Sequence, residues 1–135
     1  MAKWLFKTEP SVYSFDDLVK EGKTVWDGVT NNWALKNISQ IKNGDSVFIY
    51  HSGNEKKIVG IAQVISEPYP DPRDSNVKLL VVDIKSKKKF SKPLSLKMLK
   101  NDPFFADFML VKFTRLSIMP VEDNYWKKIV QLAQS

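Results

Sequence analysis

The stretch SVFIYHSGNEKKIVGIAQVISEPY, residues 46–69, constrains the fold more than any other part of this chain. Two runs of β-branched and aromatic residues are separated only by a short glycine-containing turn, GNEK. Antiparallel strands can be joined so briefly, whereas a parallel pair needs a crossover of a dozen residues or more. In the first run Val47, Ile49 and His51 share one face and Phe48 and Tyr50 the other, so both faces of the strand are buried. In the second, Gly60 and Ala62 are small enough to mark a bulge or a close backbone approach.

Around this hairpin the remaining elements follow from local signals. KWLFKTEP reads as a buried strand that stops at Pro10. In SFDDLVKEG, Ser14 is placed as an N-cap, Asp16 and Asp17 suit the positive end of the helix dipole, and Gly22 is the stop. NNWALKNISQI is assigned to a second helix capped by Asn31, with Trp33, Ile38 and Ile41 on its apolar side. PYPDPRDSN is a surface loop between two neighbouring strands, the second being VKLLVVDIKSKKKF. SLKMLKN suggests a short helix, RLSIMP a last strand, and VEDNYWKKIVQLAQ a closing helix. Hairpin-linked strands with short helices inserted after the first one fit a small α+β barrel better than regular βαβ units.

Composition then limits function. A chain of 135 residues, 43% of them hydrophobic, has the size of one domain with one core. With no cysteine and a single histidine, neither a disulfide nor an ordinary structural metal site is expected, and no cofactor. No apolar run reaches the length of a membrane span, and Lys7 interrupts the N-terminal segment, so an intracellular protein is expected, cytoplasmic or, in a eukaryote, nuclear. A formal charge of +6 favours a polyanionic partner. There is no glycine-rich phosphate loop and no GxSxG turn, and adjacent His51 and Ser52 point to opposite faces of a strand, so no catalytic set is assigned.

What remains is an aromatic and polar set at strand ends and loops: Lys7, Trp26, Asn31, Tyr50, His51, Ser52 and Arg115. Such chemistry suits a flat heteroaromatic ligand, held by ring faces, read by amides and hydroxyls at its edge, and tethered through phosphate by cations. Each residue also has a plain structural use. In VWDGVTNNW, Trp26 borders an Asp-Gly turn where it can wall a pocket, and Trp33 is assigned to the core. Asn31 either caps its helix or offers its amide to a base. A histidine within a strand is commonly a satisfied core residue, the lysine run KSKKKFSK a solvated strand end, and Arg73 surface.

Taken in order and at similar intervals, KWLFKTEPSVYSFDDL, VWDGVTNNWA, FIYHSG, IVGIAQVISEPYPD and RLSIMPV resemble the EVE domain, a relative of the PUA-like superfamily of pseudouridine synthases and archaeosine transglycosylases. The resemblance runs nearly end to end. It implies a single domain over residues 1–135 with a PUA-like pseudo-barrel of about five to six mostly antiparallel strands and short flanking helices. By kinship with YTH domains, which read methylated adenine in RNA, it implies recognition of a modified base in DNA or RNA, and EVE domains are linked with modified cytosines. A noncatalytic, monomeric module that takes one flipped base into a pocket is expected. The implied pocket comprises Lys7, Thr8, Trp26, Gly28, Val29, Asn31, Tyr50, His51, Ser52, Arg115 and Ser117. The family pattern WDGVRNYQAR is altered here to Thr30, Asn32, Trp33 and Leu35, which removes two arginines and a tyrosine beside the pocket. Two other functions fit the residues: a generic RNA-binding PUA-like module indifferent to modification, and a small nucleotide- or nucleoside-acting enzyme with His51 as general base.

Overall fold

A computed structural model of the chain describes residues 1–134. Its elements in order are β1 (Lys3–Thr8), α1 (Phe15–Glu21), β2 (Lys23–Trp26), α2 (Asn32–Ile38), β3 (Ser46–His51), β4 (Lys57–Val64), β5 (Tyr69–Pro70), β6 (Leu80–Ser95), α3 (Leu96–Asn101), a 3-10 turn (Pro103–Phe105), α4 (Met109–Lys112), β7 (Ile118–Pro120) and α5 (Asp123–Gln134). Six strands follow the order β2-β6-β4-β3-β1-β7, with the two-residue β5 paired to β6. Every pairing is antiparallel except β1 with β3, whose connection carries α1, β2 and α2. The mostly antiparallel, helix-flanked sheet read from the sequence is therefore present. It also contains β2, over residues to which the sequence analysis assigns no element.

The sheet curls on itself into a half-barrel. β2 and β1 stand four places apart in the strand order, yet the rings of Trp26 and Phe6 lie 5.4 Å apart. Two irregularities in β4 assist the bend. Ile49 pairs with Gly60 but Tyr50 with Ile58, leaving Val59 as the extra residue of a bulge, and β6 carries further extra residues opposite the same segment. Gly60 lies where α1 presses on the sheet: a Cβ there would stand 2.6 Å from Phe15 Cζ and 2.7 Å from the Lys88 carbonyl oxygen. The close approach expected from the small residue is thus real.

Both faces of β3 are buried, and α5 covers the outer side of the curl by stacking Trp126 on Phe48 at 3.7 Å. α1 starts with a full capping box, in which the Ser14 hydroxyl accepts the Asp17 amide N–H and the Asp17 carboxylate accepts that of Ser14. The helix stops at Gly22, whose φ of 80° is left-handed. Among the described residues no helix is long and apolar enough to cross a membrane.

One core assignment fails. Trp33 is 44% exposed, and α2 buries Ala34, Leu35, Asn37 and Ile38 instead. Five residues separate Trp33 from Ile38, which at 3.6 residues per turn sets them roughly 140° apart around the helix. They cannot share one face.

Candidate nucleic-acid-binding site

Where the curl brings β1 and β2 together, an open cleft of about 630 Å³ lies between strand ends and loops. Lys7 and Thr8 enter from the end of β1, Thr24 to Trp26 from β2, Asp27 to Val29 from the loop that follows, and Ser117 from just before β7. The turn before α1 adds Val12 and Tyr13, and the β5–β6 loop adds Arg73. Trp26 is the aromatic wall. Only 7% exposed, it is fixed by tilted contact with Phe6 and edge contact with Tyr13 at 6.2 Å, and its remaining surface meets the cleft.

The polar groups around it are held in place by neighbours. The Lys7 ammonium donates to the carbonyl oxygens of Thr114 at 3.0 Å and Phe113 at 3.5 Å and sits 5.8 Å from the centre of the Tyr50 ring. Its partial burial pushes its pKa below the ordinary lysine value. The Thr8 hydroxyl donates to the Tyr13 carbonyl oxygen at 2.7 Å, fixing the turn while its oxygen can still accept. Gly28 has φ 78°, and a Cβ there would meet nothing within 4 Å. Backbone conformation therefore requires glycine at this lip, and the space beside it is open.

Arg73, expected at the surface, is exposed there but also borders the cleft, and Asp27 has no site role in the sequence reading. The Arg73 guanidinium pairs with Asp27 across the lip and with Asp71 at 3.1 Å, so the proline-rich loop is tied to the rim of the cleft. Both carboxylates hold its proton more firmly than usual. The only local signal is a lone arginine between two aspartates; its partner Asp27 lies 46 residues away, a separation that pattern reading does not bridge.

The remaining expected site residues are divided between other places. Asn31 and Arg115 line a second hollow of about 300 Å³, with Trp33 and Phe113. The Asn31 Oδ1 accepts the Ala34 amide N–H at 3.1 Å, so this residue does cap α2. Tyr50 and Ser52 line a third hollow of about 230 Å³, which Lys7, Lys56 and Lys100 also line; burial pushes the Tyr50 phenol pKa up. His51 lines none of these. It is buried, its Nε2 accepts the Phe15 amide N–H at 2.9 Å, and its Nδ1 meets a Glu55 carboxylate oxygen at 2.9 Å. With Nε2 accepting, Nδ1 carries the hydrogen and donates. Placing His51 in the base pocket is thus corrected: its ring joins β3 to the start of α1, and neither nitrogen is free to serve as a general base.

Residues 2–132 match the family model described as the EVE domain. The chain belongs to the EVE domain family. This EVE domain superposes with a TM-score of 0.94 on the solution structure of Rpa0253 from Rhodopseudomonas palustris, at 42% identity, covering 98% of this chain and 93% of that one. Human THYN1 protein, in a crystal structure of its complex with 5-methylcytosine containing DNA, matches with a TM-score of 0.89 and 26% identity over 100% of this chain and 99% of that one. Rat thymocyte nuclear protein 1 is 30% identical over 167 aligned positions that take in 98% of this chain and 74% of that protein. Curated relatives of that name are longer than this EVE domain, the match to the human protein spanning only 36% of its length.

Proposed function

We propose that this EVE domain is a noncatalytic reader that takes one modified, cytosine-derived base of DNA or RNA out of its stack and into the Trp26 cleft. The observation that carries the reading is the cleft itself: one fixed indole wall, a polar rim and a volume within the roughly 300–1,000 Å³ usual for small-ligand sites. Its electrostatics suit a neutral ring, because Arg73 at the lip is already neutralised by Asp27 and Asp71 and the Lys7 ammonium is engaged by carbonyl oxygens. The DNA complex of human THYN1, which shares the fold, supports a methylated cytosine as the ligand class.

In this reading Trp26 supplies the aromatic contact, on the order of 1–3 kcal/mol, against a flipping cost of about a few kcal/mol. Val29 closes the apolar side, Thr8 and Ser117 offer hydroxyls to the base edge, and Lys7 borders the cleft with its ammonium held by the Phe113 and Thr114 carbonyl oxygens. Thr30 and Leu35 stand where the family pattern has arginines, so phosphate contacts beside the cleft contribute less and overall affinity is modest.

Equilibrium binding of matched oligonucleotides with and without one 5-methylcytosine tests this. The parent is expected to favour the methylated strand, Trp26→Ala to lose that preference, and Trp26→Phe to keep part of it, with melting curves showing which variants stay folded. A parent that binds both strands equally, with a steep salt dependence, would establish the generic reading, since phosphate contacts carry no base information.

A further inference from the structure

We infer that the hollow lined by Trp33, Phe113 and Arg115 is a second nucleotide site, a platform on which the base next to the flipped one stacks. The inference rests on the reading of the neighbouring cleft as the place of the modified base. Its own observations are separate. Trp33 and Phe113 are 44% and 38% exposed, a high share for large apolar rings, and they meet nearly at right angles, 5.0 Å apart. Both line the same hollow of about 300 Å³.

Charge identifies the occupant. No carboxylate lines it; of its two cations, Lys112 lies 3.8 Å from the Asp107 carboxylate, whereas among the described residues Arg115 makes no ion pair or hydrogen bond. Exposed aromatic rings beside an unpaired guanidinium make the combination by which single-stranded nucleic acid is bound without regard to sequence: a π face for a base and a cation for the adjoining phosphate. An unpaired guanidinium matches an anionic group on the occupant, which a phosphate supplies and a purely apolar segment does not.

The platform also adjoins the cleft. Lys7, a cleft wall, donates to the carbonyl oxygens of Phe113 and Thr114, which line the hollow; Val29 on one side and Asn31 on the other are two residues apart, as are Ser117 and Arg115. A strand with one base in the cleft therefore runs its next nucleotide over Trp33. Contacts made there carry no information about the modification, so the platform raises affinity for every strand alike.

The test compares three probes: an oligonucleotide with one central 5-methylcytosine, its unmodified counterpart, and free 5-methylcytidine. Trp33→Ala and Trp33→Gln are expected to weaken both oligonucleotides about tenfold, leaving their ratio and the binding of the nucleoside unchanged. Trp33→Phe, which keeps a π face, should restore most of the loss. Unchanged oligonucleotide affinity in both Ala and Gln variants overturns the platform, and does so also if those variants instead alter self-association in sedimentation. A loss confined to the methylated strand, or shared by the nucleoside, overturns it too, by assigning Trp33 to the base cleft. Absence of any methylation preference in the parent defeats the reader but leaves the platform standing on the unmodified strand.

Discussion

His51 accepts the amide N–H of Phe15, one of the donors that the first turn of a helix leaves without an internal partner. Removing the ring leaves that buried donor unpaired, so His51→Ala is expected to lower unfolding stability by about 1–3 kcal/mol in urea titration while any methylation preference stays intact. A catalytic role would give the opposite pattern, loss of turnover with stability kept. The tyrosines make a second residue-scale prediction. Burial, then the hydrogen bond to Glu21, pushes Tyr13 to about 12; the 2.6 Å hydrogen bond to Asp83, then burial, does the same for Tyr69. Both start from 10.0. Between these values the folded state binds more protons than the unfolded one, so the stabilisation is complete below about pH 10 and is lost as pH rises through about 12. Tyrosinate absorbance should show late ionisation of these two groups, and denaturation curves for Tyr69→Phe should show a smaller alkaline loss than the parent.

At the scale of elements, α1 combines a helix with complete N-terminal capping and a sheet position that admits no side chain. Ser14→Ala removes one half of the capping box and should cost about 1 kcal/mol, read as a shift in denaturation midpoint. Gly60→Val is a harsher change, because its Cβ would collide with backbone at Lys88 as well as with the Phe15 ring. A displaced ring alone could rotate; a carbonyl oxygen in the sheet cannot move without breaking the β4–β6 ladder. Loss of at least about 1–3 kcal/mol is expected by the usual cost of overpacking. In α2 the cap was legible at Asn31, while the buried face was not: in a helix of seven residues, two apolar positions five apart mimic periodicity without sharing a side.

For the molecule as a whole, the formal charge of +6 is spread mostly over lysines, and the run from Lys85 to Lys92 lies outside the lining of the cleft. Lys89 in that run is paired with Asp16. Salt dependence should therefore be shallow, set by contacts near the two adjoining sites. For a single strand each phosphate contributes roughly −0.7 to the slope of log affinity against log salt, so Arg115→Gln is expected to flatten it by roughly 0.7 with no change in methylation preference. A slope unaffected by that substitution would remove Arg115 from the phosphate path.

Local chemistry was enough to determine most elements and their order. Caps at Ser14 and Asn31, the stop at Gly22, the tight GNEK turn and the small residues at Gly60 and Ala62 each act through neighbours in sequence or through one strand pairing, and they appear as expected. Tertiary structure alone decided which side chains share a space. It gathered Lys7, Thr8, Trp26, Gly28, Val29 and Ser117 around one cleft, moved Asn31 and Arg115 to the hollow beside it and Tyr50 and Ser52 to another, and used His51 to hold α1. It also brought Arg73 to Asp27 and left Trp33 in solvent. The physical reason is that caps and turns depend on contacts a few residues long, whereas the cleft depends on the curl of a sheet whose first and fifth strands meet only after every pairing between them has formed.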